Sequence, residues 1–144
     1  MIYFDTAYLA KCYLNEPGSD EVRKLAAEAG EVACCAFGRV ELAATIHRNL
    51  REAVITRAQH RVVLRQYDAD EAEHIWTWLP VTPELLGEVA TRFRSLKRST
   101  YLRTADALHL ACAAENGFQE IWSNDRHLLA AASAFKIKGR NVIT

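Results

Sequence analysis

Apolar positions along the chain follow two periods, and the two take turns. "MIYF" is a short β-prone run that ends at Asp5, and "TAYLAKCYL" follows as a helix closed by Pro17-Gly18. Ser19 is expected to cap a second helix, with Val22, Leu25, Ala26 and Ala29 on one face and Gly30 as its stop. "EVACCAF" reads as a second strand. Gly38 then opens a helix through Glu41 and Ile46 to about Leu50, and a further helix covers roughly residues 53–73. "IWTWLPV" predicts a third strand that points Trp76 and Trp78 to one face, with core packing as their default use. Thr82-Pro83 supplies an N-cap and a first-position proline for a helix bearing Leu85, Leu86, Val89, Phe93 and Leu96 at helical spacing. "TADALHLACAA" is a helix that ends at Asn116-Gly117, "EIWS" a fourth strand, "NDRHLLAAASAF" a helix and "NVI" a last short strand. No hairpin turn joins two strands. The alternation predicts an α/β fold, a parallel sheet of four to five strands covered by helices on both faces, in one domain over residues 1–144.

Composition narrows the picture only slightly. A chain of 144 residues that is 50% hydrophobic can bury a core without disulfide or metal staples. Basic and acidic residues balance at 18 each, so net charge selects neither a nucleic acid nor a membrane; only local clustering can. No apolar run approaches the roughly 18–20 residues that span a bilayer, and "MIYFDTAYLAKCY" lacks the basic start of a secretory signal. Cys12, Cys34, Cys35 and Cys112 form no C-x-x-C pair, and adjacent Cys34 and Cys35 should face opposite sides of their strand. All four are expected to be small buried hydrophobes in a reducing cytosol, which sets the expected location as cytoplasmic.

Charge inside the apolar pattern carries more information. Asp106 sits near the start of "TADALHLACAA", two residues after a candidate cap, Thr104. Burying its carboxylate costs several kcal/mol unless something meets it. Asp5 closes the first strand, Glu41 lies in the first turn of the helix after the second strand, and Asp125 follows the fourth strand. Each suits a helix N-terminus for ordinary reasons of capping and dipole. Together they should gather on the rim of a parallel sheet where ligands bind, and converging carboxylates call for a cation such as Mg²⁺ or Mn²⁺. Thr6, Ser123 and Asn124 beside them can orient water or the acids themselves, and they are also the residues expected around helix starts.

The pieces "YFDTAYLAKCYLNEPGS", "RVELAAT", "LRTADALHLACAAENG" and "IWSNDRHLLAAA" resemble, in order and spacing, the PIN-domain ribonucleases, and among them the VapC toxins of toxin–antitoxin pairs. The resemblance spans nearly the whole chain, with residues 52–74 least diagnostic. It implies a single PIN domain whose four acids are Asp5, Glu41, Asp106 and Asp125, with Thr6 at the family's hydroxyl position and Ser123 at its polar position two residues before the last aspartate. The implied reaction is Mg²⁺- or Mn²⁺-dependent endonucleolytic cleavage of RNA, in which metal-bound water is the nucleophile. Asp5 with Asp106 or Asp125 are then the expected direct ligands, and Glu41 stands nearer to water activation or to an outer shell around the metal. The resemblance also implies a cognate VapB-like antitoxin, whose C-terminal segment lies across the toxin, and a homodimer.

Phosphate contacts need local positive charge. The loop before the Asp106 helix supplies Arg94, Lys97, Arg98 and Arg103, with Tyr101 as a base-stacking candidate, and Arg126 lies beside Asp125. Arg57, Arg61 and Arg65, with Arg48 and Arg51 upstream, form a stripe that reads first as a water-facing helix side. His109 lies one turn after Asp106, but His47, His60 and His74 make no ligand pattern with it; it reads as a packed histidine. Three competitors share parts of this pattern. A haloacid-dehalogenase-like phosphatase wants Asp-x-Asp after the first strand, and Asp5-Thr6-Ala7 breaks it. A non-catalytic interaction module has no use for an intact acid quartet. A PIN nuclease of RNA processing would use the same residues; a short chain without a second domain leans toward the toxin.

Overall fold

The computed structural model describes residues 1–144. Five short strands alternate with helices: β1 (Ile2–Tyr3), α1 (Thr6–Tyr13), α2 (Ser19–Ala29), β2 (Val32–Cys35), α3 (Gly38–Arg51), α4 (Arg57–Ala72), β3 (Trp76–Leu79), α5 (Pro83–Ser95), α6 (Thr104–Glu115), β4 (Glu120–Trp122), α7 (Arg126–Ala131) with a 3-10 turn at Ala132–Phe135, and β5 (Lys138–Arg140). Every strand pairing is parallel, as the absence of hairpin turns implies.

The sheet is not one unbroken ladder. β1, β2 and β3 form a three-stranded sheet, and β4 with β5 a two-stranded one. A single bridge between Phe4 and Trp122 joins them, reinforced by the Asp5 N–H donating to the Trp122 carbonyl at 3.1 Å. Regular pairing stops there because β1 is two residues long and Asp5 already caps α1. The spatial order is thus β3-β2-β1-β4-β5, and the chain reverses its direction of progress across the sheet between β1 and β4. That is where an open parallel sheet leaves a crevice at its carboxyl edge.

Alternation along the strands sorts the core onto both faces. Tyr3 and Cys35 join Leu85, Leu110, Ile121 and Leu128 beneath α5, α6 and α7. Phe4 and Cys34 face the other way, against Tyr8, Leu9 and Val22 of α1 and α2. A smaller cluster of Ala10, Leu14, Leu42, Ile46 and Val63 ties α1 to α3 and α4. Cys34, Cys35 and Cys112 are buried free thiols and Cys12 is half-buried, a small departure from the expectation of four buried cysteines. No helix is long and apolar enough to cross a membrane.

Local chemistry moves several boundaries. Gly18, at φ +85°, takes the cap position of α2, while Ser19 Oγ turns back to the Leu14 carbonyl at 2.8 Å and accepts the Glu16 N–H at 3.0 Å. α4 begins at Arg57 rather than residue 53, because Thr56 and Gln59 close a capping box. Thr104 is the first helical residue of α6, and Arg103 stands at its cap without a side-chain bond to the helix backbone. β5 falls at 138–140 and not at Asn141–Ile143, because Asn141 and Val142 leave the sheet to bond the Tyr8 hydroxyl at 2.6 and 2.9 Å. Gly139 fits this strand against α7: an added Cβ would lie 3.0 Å from the Leu129 Cα. Trp76 and Trp78 are half-buried; their indole N–H groups donate to Tyr13 Oη at 2.5 Å and Glu71 Oε1 at 2.6 Å.

Candidate active site

Four acids reach one cleft at the crevice between β1 and β4. Asp5 arrives first, because the chain must turn from β1 into α1 and a capping carboxylate does that well. Its Oδ1 accepts the Tyr8 N–H at 2.9 Å, and its Oδ2 accepts a short hydrogen bond from the Ser123 hydroxyl. Asp125 does the same work at α7, where Oδ1 accepts from the N–H groups of His127 and Leu128 at 2.8 and 3.1 Å. Ser123 links the two, since its Oγ also accepts the Asp125 N–H at 2.9 Å. Glu41 is the fourth residue of α3, and Asp106 the third of α6.

The cleft holds about 230 Å³ and is lined almost wholly by polar side chains, the four acids with Thr6, Thr45, Asn124, Lys11, Glu16, Arg48, Arg103 and His109 among them. Arg103 answers the question of what meets Asp106. Its Nε donates to Asp106 Oδ2 at 2.9 Å, and its other arm donates to Asp125 Oδ2 at 2.6 Å. One guanidinium therefore bridges two of the acids. Glu41 Oε1 is held by Thr6 Oγ1 at 2.8 Å and by His109 Nε2 at 2.6 Å.

The electrostatics follow burial and these partners. Burial pushes the Asp5 carboxyl up to about 6, against the hydrogen bonds of Ser123 and Tyr8 and the attraction of His109. Asp106 is also raised, by burial and by nearby Asp125, with Arg103 opposing. Burial would raise Glu41 too, but the His109 bond and charge, Thr6 and Arg103 bring it below its ordinary value. His109 is the reverse case: burial works against its charged form, yet contacts with Cys34 and Glu41 raise it well above the ordinary imidazole value.

An all-oxygen set of aspartates and a glutamate suits a hard divalent cation. In their present positions no three acidic, histidine or cysteine side chains are drawn together tightly enough to chelate one ion. That is compatible with Mg²⁺, which keeps several waters and takes one or two carboxylates directly. The raised Asp5, almost wholly buried at 4% exposure, is the acid with most to gain from a nearby cation.

Of the expected RNA-contacting residues only Arg103 lines the cleft, where its guanidinium pairs with two acids while its side chain stays 57% exposed. Arg94, Lys97, Arg98 and Arg126 are exposed outside it, and Tyr101 is exposed with its ring 4.4 Å from that of His127. Arg48, which the sequence pattern assigns to a water-facing stripe, is exposed and also lines the cleft. Asn124 lines it from an exposed position. Three further residues have roles that the sequence pattern does not reveal. Lys11 lines the cleft, is buried at 5% exposure and donates to Glu16 Oε2 at 3.1 Å and the Pro17 carbonyl at 2.9 Å. His109 is not a bystander in the core, since both ring nitrogens are committed. Gly38 leaves room for the site: an added Cβ would stand 2.6 Å from Cys34 Sγ and 3.1 Å from Thr6 Oγ1. The spacing of His109 from Asp106 is the one signal of this in the sequence, and its helical apolar context points the other way.

Comparison with known proteins agrees with this architecture. The family model for the PIN domain matches residues 2–134. Ribonuclease VapC47 of Mycobacterium tuberculosis (strain CDC 1551 / Oshkosh) is 34% identical over 119 residues, 80% of this chain and 76% of its own. Among solved structures, Mycobacterium tuberculosis VapC20, a sarcin-ricin loop cleaving toxin, superposes with a TM-score of 0.71 at 16% identity, covering 91% of this chain and 95% of its own. FitAcB from Neisseria gonorrhoeae gives 0.68 at 16% identity, over 98% of this chain and 97% of its own. FitAB bound to an IR36 DNA fragment gives 0.71 at 13% identity, over 100% and 96%. The family model spans most of the chain, and the sequence and fold matches agree with it: the chain belongs to the PIN-domain family.

Proposed function

We infer that the protein is a divalent-cation-dependent endoribonuclease that serves as the toxin of a toxin–antitoxin pair. The observation that carries this reading is the meeting of Asp5, Glu41, Asp106 and Asp125 in one polar cleft at the sheet's switch point. The 34% identity to a protein named as a VapC ribonuclease supports the choice of RNA as substrate.

When bound, Mg²⁺ or Mn²⁺ supplies an acidified water and neutralises charge building at phosphorus. Asp5, fixed by Tyr8 N–H and Ser123, is the first proposed ligand, with Asp106 or Asp125 as the second. Glu41, held by Thr6 and His109 through Oε1, is proposed to orient and deprotonate the attacking water. Thr6, Ser123 and Asn124 fix or flank these acids. Arg103 holds Asp106 and Asp125, and its guanidinium would be free to meet a substrate phosphate if a cation took over those two acids. Arg94, Lys97, Arg98, Tyr101 and Arg126 are proposed to guide the flanking RNA, and their exposure supports that.

A VapB-like antitoxin is the proposed partner, and a homodimer the proposed resting form. An apolar groove of about 510 Å³, lined by Tyr13, Leu14, Val54, Ile55, Val62 and Val63, supports the first. Glu16 borders both this groove and the acidic cleft, so a segment seated in one reaches the other. Exposed Leu86 and Phe93 on α5 support the second.

Incubation of the purified protein with structured RNA, in Mg²⁺, in Mn²⁺ and in chelator, tests the reading. Discrete internal cleavage products in either metal, absent with chelator, are expected. Activity that survives chelation would remove the metal from the mechanism, and intact RNA under every condition would remove the nuclease.

A further inference from the structure

The geometry points to His109 as a positioning residue, one that fixes the Glu41 carboxylate relative to the other acids through a hydrogen-bond path anchored on the β2 backbone. This rests on the nuclease reading above and adds a role that the acid quartet does not contain.

The path can be followed atom by atom. The Cys35 N–H donates to Tyr3 Oη at 3.0 Å, and Tyr3 Oη meets His109 Nδ1 at 2.9 Å. On the far side of the ring, Nε2 lies 2.6 Å from Glu41 Oε1 and 3.1 Å from Thr6 Oγ1. Glu41 is ionised and can only accept, so Nε2 carries the proton and donates. Thr6 Oγ1 donates to the same Glu41 oxygen at 2.8 Å. One carboxylate oxygen is thus fixed from two directions, while Oε2 takes no bond within the protein. No buried side-chain polar atom along the path lacks a partner.

Position explains why this matters. Glu41 is a long side chain, 27% exposed, on a helix of its own, and nothing in α3 holds its carboxylate. His109 sits one turn beyond Asp106 on α6, so one rigid helix carries an acid of the site and the group that aims another. A histidine needed only for packing would satisfy both nitrogens within the core. Here one nitrogen faces the core through Tyr3, whose ring packs edge-on against Phe118 at 5.5 Å, and the other reaches a cleft-lining acid. Such an outer partner typically changes metal affinity or activity by roughly 10–100-fold when removed.

Three variants separate aiming from packing. His109→Leu fills the space without a donor, His109→Gln puts an amide N–H close to where Nε2 stands, and Tyr3→Phe removes only the hydroxyl behind the ring. For each, kcat and KM on RNA, Mn²⁺ affinity by calorimetry, and the thermal midpoint are measured. His109→Leu is expected to lower kcat by roughly ten- to a hundredfold with KM little changed, and to weaken Mn²⁺ binding. His109→Gln should restore most of both losses, and Tyr3→Phe should show a smaller loss of the same kind. In proton spectra of the wild type, the Nε2–H resonance should stand far downfield and shift in Glu41→Gln. Folded His109→Leu with wild-type kcat and Mn²⁺ affinity overturns the role. Equal impairment of the Leu and Gln variants overturns it too, since packing alone would then account for the loss. Should His109→Leu fail to fold, a Tyr3→Phe variant with unchanged kcat and Mn²⁺ affinity likewise overturns the role. Should the wild type cleave no RNA, the nuclease reading fails by itself, and Mn²⁺ affinity with the Nε2–H signal still decides for or against His109.

Discussion

At the scale of single residues, two of the acids lining the cleft are also structural parts of the fold. Asp5 and Asp125 are true helix caps, so the capping expectation holds for each, and the proposed metal role comes on top of it. Asp5 shows what burial in the cleft costs. Its carboxyl is raised from 3.8 to about 6, so the folded metal-free protein binds that proton more tightly than the unfolded chain does. The stability this gives is complete below about pH 4 and is lost as pH rises to about 6, on the order of 3 kcal/mol from this group. Comparing chemical denaturation of wild type and Asp5→Asn from pH 4 to 7 isolates it: wild type should lose ground to the variant across that window. Divalent-cation binding should strengthen over the same window in the wild type, as measured by Mn²⁺ titration. Gly38 makes the opposite point, a residue whose value is absence. Gly38→Ala drives a methyl into Cys34 Sγ and Thr6 Oγ1, costing roughly 1–3 kcal/mol and disturbing Glu41 through Thr6. Thermal melts and cleavage rates should both fall; a fully active, fully stable variant would show that the backbone relaxes there freely. The four acids are legible in the sequence because carboxylates at strand-to-helix junctions are unusual in company. His109 and Gly38 are not, because a helical histidine and a helix-opening glycine each have a sufficient local explanation. Only the approach of β1, β2 and α6 in space gives them another.

At the scale of elements, α6 is the mount of the site. Residues Asp106 through Ala113 are all buried, a run that helical periodicity cannot describe as one face. It packs against β2 and α5, and its first turn carries Asp106 and, one turn on, His109. Leu110→Ala, at a position with no exposure, should cost roughly 2–5 kcal/mol in denaturant unfolding. Because Leu110 does not line the cleft, catalysis by the folded fraction should suffer less than stability. In the loop into α6, sequence and structure agree only in part. The sequence places Arg103 near the acids as an RNA contact, whereas the guanidinium bridges Asp106 and Asp125. Arg103→Ala removes a cation that competes with metal for these two acids, so calorimetry should show tighter Mn²⁺ binding together with weaker RNA binding. Unchanged Mn²⁺ affinity would mean that Arg103 and the metal do not share them. Periodicity places helices and strands well, but their ends are set by chemistry outside its reach, such as the Thr56–Gln59 capping box and the pull of Tyr8 on Asn141.

At the scale of the whole molecule, the chain order of five parallel strands creates the crevice, and the sequence needs only to put acids on its lip. The sheet order β3-β2-β1-β4-β5 can be anticipated in kind but not in detail, since two-residue β1 and its single bridge to β4 depend on Asp5 leaving the strand to cap α1. Balanced net charge hides local clustering: five acids gather in the cleft, with Lys11, Arg48 and Arg103 among its lining residues. Size-exclusion chromatography with light scattering should find the protein as a dimer, and a monomer at all concentrations would remove that part of the proposal. The central claim, that four carboxylates act together with a divalent cation on RNA, is met most directly by one matched series. Wild type, Asp5→Asn, Glu41→Gln, Asp106→Asn and Asp125→Asn are compared for cleavage of the same structured RNA in saturating Mn²⁺, with folding verified by circular dichroism. Each folded variant should lose roughly a hundredfold or more in rate, and chelator should silence the wild type. Wild-type cleavage by folded Asp5→Asn, or by the wild type in chelator, would contradict it.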